Sequence, residues 1–526
     1  MKKLSAIVLC VILVVTSVAG IIPAVSATAD GANIPVVHVV GTGTPILRNN
    51  PETGERETLY PFQIPEGYIN EKVEMFLPVF ADAFFTQEWD EFCEVLCDIV
   101  IPILSQPALS KDGEVVDGSY ADWDWTVESL RGDTHNPAGP YGVTDYMFYY
   151  DWRLDPMVTA DTLHQYIDDV MLVTGAQEVA LYGRCLGSNI VAAYMQKYDG
   201  EHIAEVVHYA SAVYGATQCS KAFTGELCLH TDGIDRFMYD LDNLGFEIGD
   251  VLLEFLQAFV ALLNDTYGLD IATWAVNNVL KDIYIDIFPE IIRSSYGTFP
   301  SYWSMVSIGD YNRAMETVFY GADLNEYSRL IEKIEYYHNN VQLKFGQISR
   351  AQAARGIEFS NIVKYGMQSI PVTDESDGLS DGLCSVNESS FGATAALINE
   401  QFSDEYVNNA VVNNTAKYIS PDRQIDASTC LVPNTTWFIK NLYHMDFPSC
   451  VNGLVSDIVN NEGFTVFSSS EYPQYLVYDK ENNALLPMTA DNLNTTDRWN
   501  HSFFENMVKF FELLFEIVSS SLASGK

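Results

Sequence analysis

Basic residues are scarce in this chain of 526 residues. Only 28 lysines and arginines are present against 71 aspartates and glutamates, which gives a formal net charge of −43 at pH 7. Binding to nucleic acid requires a basic surface that neutralises phosphates, so this composition excludes nucleic acid as a natural partner. An anionic membrane surface would also repel such a protein at low salt. The acidity is consistent with solubility outside the cell and says little about a reaction.

Long apolar runs are absent beyond the N-terminus. The C-terminal segment 507–518 is interrupted by Lys509, Glu512 and Glu516, so it predicts a packed amphipathic helix. Internal repeats and low-complexity tracts are absent as well. With 48% hydrophobic residues, the chain can bury a sizeable core, and its length allows two domains or one core with large insertions. We therefore expect no transmembrane span in the mature chain.

An apolar run does occur at the N-terminus. Lys2 and Lys3 precede the apolar residues 4–18, and residues 25–27 are small enough for a cleavage site. This order is typical of a secretory signal peptide, which we place at residues 1–27 with cleavage after Ala27, or alternatively after Ala29. An uncleaved N-terminal anchor is the competing interpretation. The protein is therefore predicted to be secreted or extracytoplasmic.

Cysteines are numerous enough to pair in such an oxidising compartment. The chain has nine, of which one lies in the predicted signal peptide. Their spacing favours disulfides between Cys219 and Cys228 and between Cys430 and Cys450. Sequence alone does not determine this connectivity.

The segment 183–187 reads GRCLG and is the most informative motif in the chain. It follows an apolar run at 179–182 and precedes a helical pattern at 189–197. A strand, a sharp turn between two glycines and a helix are typical of the nucleophile elbow of an α/β-hydrolase. The central residue is Cys185 instead of the usual serine. Cys185 is therefore the candidate nucleophile.

Strand and helix patterns alternate around this motif. Strands are predicted at 35–41, 146–150, 178–182, 204–210, 361–365 and 436–439, and successive amphipathic helices between about 219 and 360. The alternation predicts the α/β-hydrolase fold, a mostly parallel sheet flanked by helices, with a large helical cap insertion. The first half of the core is predicted at residues 28–218 and contains an irregular insertion at about 50–125. The cap is predicted at 219–360, and the second half of the core at 361–526.

A cysteine nucleophile needs a base and an orienting acid, which follow the nucleophile along the chain in α/β-hydrolases. Only His444 and His501 lie beyond residue 400. His444 directly follows the strand at 436–439, where the base is expected, whereas His501 begins the terminal helix and is predicted to lie on the surface. Asp381, in a turn after the strand at 361–365, is the favoured acid. Its neighbours in sequence, Asp377 and Asp374, are the rivals, and the acidic stretch could instead bind solvent or a cation.

Two backbone N–H groups should form the oxyanion hole. One belongs to Leu186, the residue after the nucleophile. The other should come from the glycine-rich loop 41–44 after the first strand, with Thr42 as the favoured donor and Gly43 as the alternative.

Residues 150–156, YDWRLDP, carry a specific resemblance. They resemble the Tyr-Asp-Trp-Arg motif of the lecithin:cholesterol acyltransferase family, which includes lysosomal phospholipases and diacylglycerol acyltransferases that use phospholipid donors. The 183–187 turn, the Asp381 turn, the 437–439 strand and His444 follow in the family's order, and residues 301–306 resemble its cap segment. The resemblance is scattered over residues 35–450, with an unmatched insertion in 220–360.

The resemblance implies an esterase whose acyl-enzyme is passed to an alcohol or to water. It also implies that Arg153 and Asp151 support the site structurally. The chain departs from the family at Cys185, which replaces a serine, and at Arg184 before it. A cationic Arg184 would favour the thiolate if its side chain turned toward the sulfur.

We therefore predict a secreted acyl hydrolase or acyltransferase acting on a hydrophobic, lipid-like ester. Cys185 would form a thioester, because a thiol is easier to deprotonate than an alcohol, and no metal or organic cofactor would be required. Two alternatives stay open. One is a hydrolase-fold binding protein with an inert thiol, and the other is a thiol amidase or peptidase with the same triad.

Overall fold

The computed structural model describes residues 34–65, 68–132, 145–226, 228–240, 250–373, 376–493 and 502–524. The predicted signal peptide at 1–27, Asp374 and His501 lie outside these residues. The strands are β1 Val36–Val39, β2 Ile46–Asn49, β3 Arg56–Tyr60, β4 Tyr120–Ala121, β5 Asp145–Phe148, β6 Val179–Arg184, β7 Ile203–Tyr209, β8 Glu358–Tyr365, β9 Thr394–Ala395, β10 Ile425–Asp426, β11 Thr436–Lys440, β12 Tyr475–Asp479 and β13 Ala484–Pro487.

Eight strands form one sheet in the order β13-β12-β11-β8-β7-β6-β1-β5. All neighbouring pairs are parallel except β12 and β13, which are antiparallel. Parallel neighbours need crossover connections, and most of these contain helices here. The structure confirms the α/β class and all six strands predicted from the sequence.

Helices flank the sheet and occupy its connections. They are α1 Tyr68–Thr86, α2 Asp90–Leu104, α3 Val127–Gly132, α4 Pro156–Thr174, α5 Leu186–Lys197, α6 Thr217–Thr224, α7 Thr231–Asp240, α8 Asp250–Asp265, α9 Gly268–Arg293, α10 Pro300–Trp303, α11 Tyr311–Val318, α12 Ser328–Tyr337, α13 Phe345–Ala353, α14 Val386–Ser389, α15 Asp404–Val412, α16 Val451–Asn460 and α17 Phe503–Ser524. None of these described helices combines the length and apolar character needed to cross a bilayer.

The sheet is covered on both faces. In β1, Val37 and Val39 join one core cluster, whereas Val36 joins another. Leu181 and Tyr182 of β6 divide in the same way. Successive side chains of a strand point to opposite faces, so apolar residues are needed at every position of these strands. The loops after β1, β6, β8 and β11 leave the same carboxyl edge, because these strands are parallel.

The described residues between β7 and β8 carry helices α6 to α13 and no strand. This agrees with the helical region predicted at 219–360. Helix α17 contains the segment 507–518, predicted to be a packed helix, and it packs on α8, where the rings of Phe255 and Phe510 lie 5.2 Å apart.

The expectation of an irregular insertion at about 50–125 is wrong. Strands β2, β3 and β4 form a small antiparallel sheet, and α1 and α2 lie between β3 and β4. Helix α2 buries Phe92, Leu96 and Ile99, which have helical spacing. Pro78 lies inside α1 and Pro102 inside α2. Proline is typical of helix ends and loops, so these two residues obscure the helices in the sequence.

The two disulfides favoured by the sequence are not formed. Cys219, Cys430 and Cys450 carry free thiols. The sulfur of Cys219 lies 3.7 Å from the carbonyl oxygen of Tyr302, and Cys430 belongs to a core cluster that does not include Cys450. A disulfide needs its two Cβ atoms within about 4.5 Å, and proximity along the chain does not ensure this.

Candidate active site

The turn between β6 and α5 places Cys185 at the end of a buried strand. Cys185 has φ 50° and ψ −123°, which is uncommon for a residue with a side chain. A Cβ on Gly183 would lie 2.9 Å from the Cα of Ser188, and one on Gly187 would lie 2.1 Å from the carbonyl oxygen of Val39. Both positions therefore require glycine. The strand, sharp turn and helix predicted from GRCLG are present.

His444 and Asp381 meet in the loops that follow β11 and β8. The Nδ1 of His444 lies 2.7 Å from Oδ2 of Asp381, and both side chains are buried. The backbone N–H of His444 also donates to the carbonyl oxygen of Asp381 at 2.8 Å. The other carboxylate oxygen accepts from the N–H groups of Leu383 and Cys384, at 3.1 and 2.8 Å. Asp381 is thus the acid that the structure brings to His444.

The pKa values of this pair reflect competition between burial and charge. Burial alone would lower the pKa of His444, because it penalises the imidazolium. The negative charge of Asp381 is the largest opposing influence, followed by Cys185 and Cys384, and together they hold this pKa well above its usual range. Burial would raise the pKa of Asp381, but the charge and hydrogen bond of His444 lower it overall. Cys185 is among the groups that influence this pKa, so the third predicted residue lies near the pair.

The second ring nitrogen of His444 is available for chemistry. Nε2 is buried and has no hydrogen-bond partner in the described part of the chain. Because Nδ1 donates to Asp381, Nε2 is the ring nitrogen that can exchange a proton with a thiol: it donates in the imidazolium and accepts in the neutral ring. Cys185 is half-buried, whereas Cys384 is fully buried. Of these two thiols, Cys185 is therefore the one that a molecule from solvent can reach.

The predicted oxyanion-hole donors lie around the Cys185 turn. Leu186 is the first residue of α5, so its N–H has no carbonyl acceptor one turn earlier in the helix. The first turn of α5 packs tightly on the end of β1, because a Cβ on Gly187 would meet the carbonyl oxygens of Val39 and Val40. Thr42, two residues further along, is buried. The loop that contains Thr42 therefore begins directly beside α5.

Aromatic residues of the YDWR segment hold the same loop in place. The hydroxyl of Tyr150 donates to the carbonyl oxygen of Val40 at 2.9 Å. The indole N–H of Trp152 donates to the carbonyl oxygen of Thr44 at 2.8 Å. The loop that carries Thr42 is thus fixed at both of its ends.

Arg153 is fully buried and binds groups from three segments. Its guanidinium donates to Asp151 through Nε at 2.8 Å and through a terminal nitrogen at 2.6 Å. The other terminal nitrogen donates to the carbonyl oxygen of Pro107 and to the hydroxyl of Ser119, at 3.0 and 2.9 Å. These contacts connect the YDWR segment to residues 107–119, and a structural role accounts for all of them.

Arg184 precedes Cys185, but its side chain is buried among other groups. A terminal nitrogen lies 2.7 Å from Nδ1 of His38. Its Cζ lies 4.8 Å from the ring centre of Tyr182 and 5.2 Å from that of Phe447. Tyr182 and Arg184 share one face of β6, because alternate strand residues point the same way. These contacts fit a supporting role for Arg184.

The rival acid Asp377 is engaged elsewhere. Its carboxylate pairs with Arg236 and lies 3.3 Å from Nε2 of His230. Its side chain is 39% exposed, in contrast to the buried Asp381.

Two residues near the pair formed by His444 and Asp381 were not predicted from the sequence. Cys384 lies three residues after Asp381, and its thiol is next to the imidazole of His444. Lys364 is a fully buried lysine of β8 whose ammonium donates to the carbonyl oxygen of His444 at 2.6 Å. Lys364 is the single charged residue of the predicted strand 361–365, and this was the signal by which the sequence could have indicated it.

Asp381, Cys384 and His444 form the one group of three possible metal ligands among the described residues, with ligand atoms within 4.8 Å of one another. Asp381 and His444 already bind each other directly. This direct contact is the one expected between an imidazole and a carboxylate that orients it.

No protein-family model matches the chain, and no curated protein matches it. The resemblance of residues 150–156 to the Tyr-Asp-Trp-Arg motif stays a prediction from the sequence. The geometry of the site is therefore the main evidence for the function of the protein.

Proposed function

We propose that the protein is a secreted α/β-hydrolase that cleaves or transfers acyl groups of lipid-like esters through Cys185. The observation that carries this proposal is the buried 2.7 Å contact between Nδ1 of His444 and Oδ2 of Asp381, next to the strained turn that bears Cys185. Burying an ionisable pair is costly. An acid that orients an imidazole is what a thiol nucleophile requires.

The reaction would proceed through a thioester. The sulfur of Cys185 attacks the ester carbonyl carbon while Nε2 of His444 takes the thiol proton. The carbonyl electrons move to oxygen, which the N–H groups of Leu186 and Thr42 stabilise. As the C–O bond breaks, the imidazolium returns its proton to the departing alcohol. Asp381 orients the imidazole and stabilises its charged form.

The second half of the reaction regenerates the thiol. Water or an acceptor alcohol gives a proton to His444 and attacks the thioester carbon. The C–S bond then breaks, the sulfur recovers the proton, and an acid or a new ester is released. Hydrolysis and transfer therefore use the same residues and differ only in the molecule that attacks the thioester.

The helical region α6 to α13 would act as a cap over the site. Helix α5 begins at the Cys185 turn, and its Asn189 donates to the carbonyl oxygen of Ser304 at 2.8 Å. Tyr337 donates to the carbonyl oxygen of Asn189 at 3.2 Å. Direct contact between this region and α5 supports the cap assignment. A hydrophobic acyl chain is the substrate class that would suit a site under a cap of amphipathic helices.

Membership of the lecithin:cholesterol acyltransferase family is part of the proposal. Its support is the role of Tyr150, Trp152 and Arg153, whose contacts hold the predicted oxyanion loop and the segment beside it. The family's serine would be replaced by a thiol that performs the same first step.

Short nitrophenyl esters test the proposal. The wild type should release nitrophenol and should show an acyl adduct on Cys185 by intact-mass and peptide analysis, and Cys185→Ala should lose both. Cys450→Ala removes another half-buried free thiol, which belongs to a different part of the core, and should retain activity.

Unchanged turnover in Cys185→Ala would remove Cys185 from the mechanism. A wild type that shows neither turnover nor adduct would favour the binding-protein alternative. Cleavage of nitroanilides without cleavage of esters would favour the thiol amidase.

A further inference from the structure

A buried lysine lies beneath the loop that carries His444. Lys364, in β8, has no exposed surface. Its ammonium donates to three carbonyl oxygens of one short segment, those of Tyr443, His444 and Asp446, at 3.1, 2.6 and 2.7 Å. A lysine is seldom fully buried unless its charge has a partner. Here the partners are backbone carbonyls of the predicted catalytic loop.

The surroundings of the ammonium contain aromatic rings and no direct ion pair in the described residues. Nζ lies 4.3 Å from the ring centre of Tyr209 and 4.5 Å from that of Phe447, at cation–π distance. The hydroxyl of Tyr209 donates to the carbonyl oxygen of Asp446 at 3.2 Å. Lysine and tyrosine thus bind the same segment from β8 and β7.

Three carbonyl oxygens, two of them on buried residues, point to one place and need a donor. An unsatisfied buried acceptor costs free energy, and no ordinary side chain other than lysine or arginine offers three donors at one tip. Without Lys364, the segment would have to turn these carbonyls toward water. Such a turn would displace His444, since its own carbonyl is one of the three.

We propose that Lys364 is a positioning residue that holds the 443–446 segment so that the His444 imidazole stays aligned with Asp381 and Cys185. This inference rests on the proposed function, because it assigns a purpose to the alignment. The hydrogen bonds of Lys364 go to backbone carbonyls, so it acts through the backbone of the segment that carries His444.

Lys440 offers a matched control. It lies in the neighbouring strand β11, is 2% exposed, and donates to Asp422 and Gln424 at 2.8 and 3.0 Å. Its partners lie outside the His444 loop. Lys364→Met and Lys440→Met therefore each remove a buried ammonium, but only the first removes donors from the 443–446 segment.

The experiment compares both variants in the full chain by ester turnover and by the rate at which iodoacetamide alkylates Cys185. Lys364→Met should lower kcat by about 10²-fold, the loss typical of a small misplacement of a catalytic group, with KM within roughly threefold. It should slow alkylation as much as His444→Gln does. Lys440→Met should leave both rates close to wild type.

A folded Lys364→Met variant with wild-type turnover and alkylation would overturn the proposal, and so would equal losses in the two lysine variants. If Lys364→Met does not fold, Lys364→Gln, which keeps two donors, is judged by the same criteria. If the wild type hydrolyses no ester, the proposed function fails, and the alkylation rates still decide whether Lys364 positions His444.

The pH dependence of kcat distinguishes a positioning role of Lys364 from a merely structural one, because a merely structural role would not change it. Burial lowers the pKa of Lys364 to about 7, against the opposing charges around it. The titratable and charged groups that influence it are Asp381, Asp446, Cys185 and Arg184. Above about pH 7 the neutral amine keeps only two donors for three carbonyls, so wild-type kcat should decline there. This decline should be absent from Lys364→Met, and an identical profile would contradict the proposal.

Discussion

Asp381 shows how burial and local contacts combine at a single residue. Its carboxylate is fully buried, yet its pKa is lowered because the charge and hydrogen bond of His444 outweigh desolvation. Two backbone N–H groups bind its second oxygen at 3.1 and 2.8 Å. The carboxylate is therefore ionised and fixed in orientation, which is what a group that orients an imidazole needs.

Replacing this acid by its amide tests that role. In Asp381→Asn, the amide can present an N–H to Nδ1 and favour the wrong imidazole tautomer, so kcat for nitrophenyl esters should fall by about 10³- to 10⁴-fold. Asp377→Asn is the control, because Asp377 binds Arg236 and His230 instead. Its kcat should stay within a few-fold of wild type. Equal losses in the two variants would show that Asp381 has no special role.

At the scale of secondary-structure elements, the site depends on close contact between α5 and the end of β1. The two backbones approach so closely at Gly187 that a Cβ would lie 2.1 Å from the oxygen of Val39 and 2.6 Å from that of Val40. One of these elements supplies the N–H of Leu186, and the other leads into the loop of Thr42. The contact therefore sets the relative position of both predicted oxyanion donors.

Gly187→Ala should separate these elements. The extra methyl group has to displace backbone atoms, so we expect a loss of about 1–3 kcal/mol of stability together with a large loss of kcat. Thermal unfolding and ester turnover measure the two effects. Gly309→Ala is the control, since a Cβ there meets no atom within 4 Å, and it should change stability by about 0.5 kcal/mol or less. A Gly187→Ala protein with full turnover would contradict the importance of this contact.

At the scale of the whole molecule, a buried carboxyl group far from the site links stability to pH. Glu205 lies near the start of β7, directly across from Glu358 of β8. Burial and the charge of Glu358 raise the pKa of Glu205 to about 8, although Ser360 donates a hydrogen bond to it at 3.1 Å. Between about pH 4.5 and pH 8 the folded state binds a proton that the unfolded state has lost. Stability should therefore fall as the pH rises through this range.

Glu205→Gln should remove this dependence. The amide keeps the shape of the protonated acid and has no charge to bury at alkaline pH. The variant should match the wild type near pH 5 and exceed its free energy of unfolding at pH 8.5 by on the order of 3 kcal/mol. Denaturant unfolding at both pH values measures the difference. The exposed Glu201 provides the control, and equal effects of Glu201→Gln and Glu205→Gln would contradict burial as the cause.

Much of the fold could be predicted because its signals are local. The apolar strands and the GRCLG turn depend on residues adjacent in the chain, so their patterns indicated β6, the Cys185 turn and α5. The order of nucleophile, acid and base further indicated Asp381 and His444. Helices α1 and α2 escaped prediction because each contains a proline, and the expected disulfides failed because their partners face different surroundings.

The sequence by itself determined that a cysteine follows an apolar strand at a turn flanked by two glycines, and that a histidine and an aspartate follow the later strands. Only the tertiary structure decided that Asp381 rather than Asp377 meets His444, that Arg184 packs against His38, and that Lys364 lies beneath the histidine loop. The reason is physical. A strand or a turn is specified by neighbours in the chain, whereas contacts between side chains depend on how distant loops converge at the edge of a sheet.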